Sequence, residues 1–234
     1  MLLVDLDGTL VDSEEVNHKA FVQIFHEFHL EDKIATVFEG LAGGRDFATI
    51  MKDIGLDDAT RRLMEKRMEE IVSSADMHVL PGAKEAIRGL RGKGVKFSIV
   101  TLNVSKKARE ILRRNHMEDL FDAELVVGSD NLPWEKPNPR VVIEVLSRAD
   151  RSQAMVIGNA PRDVMLAKNC DLPVVYLKQT VPNAASIGTS KDALEVFKAR
   201  VHDLELRYDH RKIHMADSWS EIPGIVEKIL NTGA

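Results

Sequence analysis

Hydrophobic and polar positions along this chain fall into two textures. After a short apolar run at about 2–6, which reads as a strand, apolar residues recur at helical spacing up to about residue 80. Ala20, Phe21, Ile24, Phe25 and Phe28 form one stripe and predict a helix over about 14–29. Residues 33–80 read as helical but interrupted. "GLAGGRD" at 40–46 is a glycine loop, and 57–74 predicts a charged helix with Leu63, Met64, Ile71 and Val72 turned inward. From Pro81 and Gly82 onward, short β-branched runs alternate with helical segments. The pattern predicts helices at 83–92, 105–116, 139–148 and 162–169, and strands at 95–101, 123–127, 154–158 and 173–177.

That alternation predicts an α/β fold: a Rossmann-like parallel sheet with helices on both faces. The 2–6 run joins the same sheet. Residues 1–13 and 81–234 then form one α/β domain, and 14–80 is an all-α cap inserted into it. In the tail, Leu194, Phe197, Val201, Leu204 and Tyr208 step by three and four, with Thr189 opening the start signal "TSKD". A helix over 190–208 follows, read as a packing element rather than a contact between subunits. A strand at 212–216 and a helix at 220–230 complete the chain.

Composition narrows the class. The chain has 234 residues, 44% hydrophobic and 29% charged, which suits a folded globular protein with a sizeable core. A formal net charge of -5 argues against a nonspecific nucleic-acid partner. No apolar run approaches the roughly 20 residues of a membrane span, and "MLLV" is too short for a secretory signal. Cys170 is the single cysteine, so no intramolecular disulfide forms, in keeping with a cytoplasmic protein. A monomer and a homodimer are equally compatible with these features.

Four stretches carry chemistry, each at a strand end or just after one. "VDLDGT" places Asp5 and Asp7 two apart, where side chains of a strand share a face. Ligands of parallel sheets bind outside the carboxyl ends of strands. Two carboxylates there repel each other, and a hard Mg²⁺ ion with oxygen ligands would relieve that. A carboxylate can also attack phosphorus, with a neighbouring acid moving protons. "FSIVTLN" delivers the Thr101 hydroxyl and the backbone N–H that follows it. "WEKPNP" holds Lys136 between a glutamate and a proline, where an ammonium could neutralise nucleophile and phosphoryl group together. "VIGNAPRDV" sets Asn159 and Asp163, both oxygen ligands, four apart around a turn into a helix.

Each motif alone is weak; in this order they resemble the haloacid dehalogenase superfamily of phosphohydrolases. The resemblance spans nearly the whole chain. The helical insertion after the first motif is similar to the branch holding phosphoglycolate phosphatases, small sugar phosphatases and β-phosphoglucomutases. It implies Asp5 as nucleophile and Asp7 as general acid/base. Thr101 and Lys136 would hold the phosphoryl group, with Leu102 and Asn103 beside them. Asp5, the Asp7 backbone carbonyl, Asn159 and Asp163 would hold Mg²⁺. The substrate would be a small phosphorylated metabolite. Asp7 argues against a true haloacid dehalogenase, which lacks the second aspartate.

The chain departs from the family pattern at two places. Asn159 stands where an aspartate is usual, which removes a charge from the implied metal site. Leu102 stands where an asparagine is frequent, with Asn103 one place later; the contact there is mainly a backbone N–H. Arg45, in the cap loop, either meets an anionic substrate group or is solvated beside a glycine turn. A phosphomutase of the same family would have a histidine where this chain has Asn17, with His18 one place on. That difference favours a phosphatase over a phosphomutase. Asn159 also admits a third reading, a binding protein on the same scaffold. His202, His210 and His214 lack acids at ligand spacing and are assigned no metal.

Overall fold

The structure, a computed structural model, describes residues 1–37, 47–147, 154–178 and 212–232. Six strands form one sheet: β1 (Leu2–Val4), β2 (Phe97–Val100), β3 (Val126–Val127), β4 (Met155–Gly158), β5 (Val174–Leu177) and β6 (Ile213–Ala216). Their order is β3-β2-β1-β4-β5-β6, and every pairing is parallel. Strands β1 to β5 are buried at every position, which explains their continuous apolar runs. β1 lies between β2 and β4, so the chain builds the sheet outward in one direction and then in the other. Such a reversal opens a crevice at the strands' carboxyl ends.

Helices cover the sheet through their apolar stripes. Ala83, Ala86, Ile87 and Leu90 are the buried face of the helix Ala83–Gly92, which packs against the last helix, Ile222–Thr232. The helix Pro161–Asn169 packs on β4 and β5, and Ser105–Arg114 on β3.

Of the described residues, Met1–Asp12 and those from His78 onward form one compact unit, and Ser13–Met77 belong to another. The second unit is helical and has its own core of Phe21, Ile24, Phe25, Val37, Ile50, Met51 and Met64. Its helix Ser13–Glu27 packs on Asp58–Ser74. Phe21 and Phe25 stack with ring centroids 4.3 Å apart. Asp57 caps the longer helix, its carboxylate accepting the Thr60 N–H at 2.7 Å.

Most predicted elements are present with slightly different ends. The 123–127 run is not all strand: Ala123–Leu125 is a 3-10 turn, and only Val126–Val127 pair with β2. Leu63 does not face inward; it is 60% exposed. Met64, Met68, Ile71 and Val72 form the buried stripe. Leu63 is one residue, about 100°, away from that stripe. The predicted helix at 190–208 lies outside the described residues.

Candidate active site

Register brings the predicted residues to one end of the sheet. Val4 pairs with Ile99 on one side and Ile157 on the other. Asp5 follows that row by one residue, and Thr101 and Asn159 by two, so all three leave the sheet at the same end. Lys136 comes from the loop between β3 and the helix Arg140–Ser147, and Asp163 from the first turn of Pro161–Asn169.

Asp5 lies in a buried pocket. The Lys136 ammonium donates to Asp5 Oδ1 at 2.5 Å and to Asp163 Oδ1 at 2.8 Å. The Thr9 hydroxyl sits 3.0 Å from Asn159 Oδ1 and 3.4 Å from Asp5 Oδ2. Asp5, Thr9, Lys136, Asn159 and Asp163 are all buried. Loss of water pushes the Asp5 carboxyl up to about 7; Lys136 pulls it down only in part, and Asp163 and Asp7 push it further up. Burial alone would push Lys136 down, but the two carboxylates outweigh it and hold the ammonium above the ordinary lysine range.

Local sequence explains how this pocket is built. The helix Pro161–Asn169 starts with Ala160 at its cap, a side chain with no acceptor. Asp163 reaches back instead, Oδ2 accepting the Ala160 N–H at 3.1 Å, while its other oxygen meets Lys136. Gly158 is required by space, since a Cβ there would overlap the Asp163 carboxylate.

Asp7 occupies a different setting. β1 ends at Val4, so strand alternation does not align the two aspartates. Asp7 lies in the following turn, and its Oδ2 accepts from Asn103 Nδ2 and, at 3.3 Å, from the Thr101 hydroxyl. That hydroxyl in turn accepts the Asn103 N–H at 3.1 Å. The Asn103 loop is anchored from the far side. Asp130 accepts the Ser105 N–H at 2.6 Å and its hydroxyl at 2.9 Å, and the Ser129 N–H meets the Asn103 carbonyl at 3.0 Å. A side chain on Gly128 would strike the backbone of this loop.

The predicted residues thus fall into two clusters: Asp5, Lys136, Asn159 and Asp163 in one, Asp7, Thr101 and Asn103 in the other. Leu102 is half-buried between Thr101 and Asn103. Arg45 lies outside the described residues, as do His202, His210 and the side chain of His18. Asn17 is half-buried on the helix Ser13–Glu27. His214 is on β6, held below the ordinary histidine range by burial and by Lys228. Sequence reasoning assigned no role to Thr9 or Asp130. Thr9 could have been found from its place in "DGT"; Asp130 gives no local signal, because its partner is 25 residues away.

The donors available for an ion are oxygen atoms. Among the described residues no three or more His, Cys, Asp or Glu side chains gather as a metal-binding group. Mg²⁺ takes one or two carboxylates and keeps water and phosphate for the rest of its shell. Asp5 and Asn159 bring a carboxylate and an amide oxygen to the same Thr9 hydroxyl, a donor chemistry that fits a hard cation. No described helix is long and apolar enough to cross a membrane.

The chain is similar to known proteins over most of its length. A phosphoglycolate phosphatase of Rhodobacter capsulatus is 29% identical over 237 residues, covering 97% of this chain and 96% of its own. Two solved structures share the fold. YfnB of Bacillus subtilis, bound to magnesium, is 19% identical with a TM-score of 0.60, covering 75% of this chain and 87% of its own. CbbY of Rhodobacter sphaeroides, in complex with xylulose-1,5-bisphosphate, is 16% identical with a TM-score of 0.59, covering 94% of each chain. The family model for haloacid dehalogenase-like hydrolases matches residues 2–177, from β1 through β5, and the chain belongs to that family.

Proposed function

We propose that this hydrolase is a Mg²⁺-dependent phosphatase acting on a small phosphomonoester, a sugar phosphate or a phosphoglycolate-like acid, through an aspartyl-phosphate on Asp5. The observation that carries the reading is the Asp5 pocket: a buried carboxylate at a strand end, one oxygen on an ammonium, the other beside Asn159 and Thr9. The phosphatase relative supports the reaction class, and the magnesium-bound and sugar-bisphosphate-bound neighbours support the ion and the kind of ligand.

Asp5, the Asp7 main-chain carbonyl and Asn159 would hold Mg²⁺, with Asp163 close by. When bound, the ion supplies positive charge against the phosphoryl oxygens. Asp5 attacks phosphorus and the P–O bond to the alcohol breaks. Asp7, protonated for this step, gives its proton to the departing oxygen. It then takes a proton from water as that water attacks the aspartyl-phosphate, releasing phosphate and restoring Asp5. Lys136 stays protonated throughout and balances charge on Asp5 and the phosphoryl group. The Thr101 hydroxyl and the Leu102–Asn103 backbone bind a phosphoryl oxygen. The helical unit Ser13–Met77 acts as the cap that selects substrate, with Arg45 reading an anionic group.

A panel of phosphorylated metabolites, assayed for phosphate release with Mg²⁺ and with a chelator, tests the proposal. Turnover that needs Mg²⁺ and is absent in Asp5→Asn is expected. Full turnover in Asp5→Asn would overturn the covalent role. Conversion of a sugar 1-phosphate into its 6-phosphate without phosphate release would assign a mutase instead.

A further inference from the structure

The turn that presents Asp5, Asp7 and Thr9 is held mostly by its own backbone. The Leu6 carbonyl accepts from Leu10 N at 2.9 Å and Val11 N at 3.1 Å, and Gly8 N donates to Val11 O at 2.9 Å. The Leu10 carbonyl accepts from Leu80 N at 2.9 Å, which ties the turn to the chain returning to the sheet. The Thr9 carbonyl is satisfied from much further away. It accepts the indole N–H of Trp219 at 2.6 Å, across 210 residues of sequence. Both residues are fully buried, so water cannot replace that donor.

We propose that Trp219 is a positioning residue of the active site. The Thr9 carbonyl and the Thr9 hydroxyl belong to one residue. Fixing the first fixes the second, which faces Asp5 Oδ2 and Asn159 Oδ1. Trp219 lies between β6 and the last helix, where Ser218 and Ser220 hydroxyls meet at 2.7 Å. Its Cβ stands 3.7 Å from where a side chain on Gly82 would begin. Gly82 has φ +81 and caps the helix Ala83–Gly92, a backbone conformation that glycine adopts readily, and the Cβ and backbone of Trp219 lie beside it. A fully buried indole that donates to the Thr9 carbonyl restrains the turn carrying Asp5 and Thr9. A small displacement of a reacting group is costly, since a shift of about 1 Å can lower the rate ~100-fold.

Trp219→Phe leaves a smaller aromatic ring in place and removes the donor. Rested on the phosphatase reading, the expected result is a kcat about tenfold lower with KM within about twofold, because the turn and not substrate binding is disturbed. Hydrogen exchange measured on the whole metal-free protein supplies a readout independent of any substrate. Peptides spanning residues 5–11 should exchange faster in Trp219→Phe, while those of β5 and β6 keep wild-type rates. Unchanged exchange at 5–11 would overturn the inference, as would global loss of protection in β5 and β6, which would make the role one of packing alone. A second variant guards against poor folding of the first. In a Trp134→Phe background, benzothienylalanine incorporated at 219 replaces the N–H by sulfur within the same outline. It should reproduce the faster exchange at 5–11, and failure to do so counts against the proposal. If wild type releases phosphate from no ester yet the exchange result stands, the phosphatase reading fails and this inference survives.

Discussion

Asp5 and Asp7 are two residues apart and share almost nothing else. Asp5 is buried against an ammonium, and removal from water dominates its proton affinity. Asp7 is half-buried and held by an amide and a hydroxyl. Identical side chains thus stand in different surroundings, and under the proposed mechanism that difference separates their roles. A desolvated carboxylate beside a fixed positive charge suits attack on an anionic phosphoryl group. A carboxylate in a neutral, partly wet network suits exchange of protons with alcohol and water.

The sharpest way to break this contrast is Asp5→Asn. Phosphate release should fall by at least ~1,000-fold, measured against the metabolite panel. The same change should stabilise the metal-free protein at neutral pH. Burial pushes the folded carboxyl up to about 7, well above the ordinary aspartate range, so the fold holds that proton more tightly than the unfolded chain does. Its contribution is present below pH 4 and is lost as pH rises through 7. Each pKa unit corresponds to about 1.4 kcal/mol, and the loss of a Lys136 partner offsets part of the sum, leaving a gain of ~1–2 kcal/mol. Melting curves should show the variant ahead of wild type at pH 8 and level with it at pH 4. An equal gain at both would mean that ionised Asp5 is not destabilising.

Lys136→Met attacks the other half of the pair. Two buried carboxylates would then face each other without a cation. Urea titration should show a loss on the order of 3 kcal/mol, alongside a rate fall of ~100-fold or more. A variant as stable as wild type would show that the ion cluster is more hydrated than the structure indicates.

Asn103→Ala perturbs the Asp7 side alone. The carboxylate loses its amide donor but keeps Thr101, so kcat should fall ~3- to 10-fold with little change in melting temperature. A larger stability loss than activity loss would place Asn103 in the fold rather than in the chemistry. The smallest effect belongs to Asn159→Asp. An added carboxylate should tighten Mg²⁺ binding about tenfold by calorimetry and slightly lower the metal-free melting temperature, since it adds charge beside Asp5. Unchanged Mg²⁺ affinity would remove Asn159 from the proposed ion site.

The elements and their order were readable because each is a local matter. β-branched runs bounded by glycine and proline mark buried strands, and periodic stripes mark helices. The misreadings have the same root. Leu63 was assigned inward on hydrophobicity although it is one helical step from the stripe. Residues 123–125 are Ala, Glu and Leu, poor strand formers, and only the two valines that follow them pair with β2. At the site, the motif residues were legible because each stands at a strand end or in the loop or helix turn that follows one. Their division into two clusters was not, since the side-chain partners lie far apart: Lys136 is 131 residues from Asp5, and Asn103 is 96 from Asp7.

By itself the sequence determined which strands and helices form, that the strands are parallel and buried, and which polar residues stop at their ends. Side-chain period and chain punctuation act within a few residues, so they survive without tertiary context. Only the tertiary structure decided that Lys136 bridges Asp5 and Asp163, that Thr9 joins Asp5 to Asn159, and that Trp219 reaches back to the first turn. Those contacts arise where register and packing bring remote segments together and exclude water. Exclusion of water is what gives a hydrogen bond or a charge there its weight.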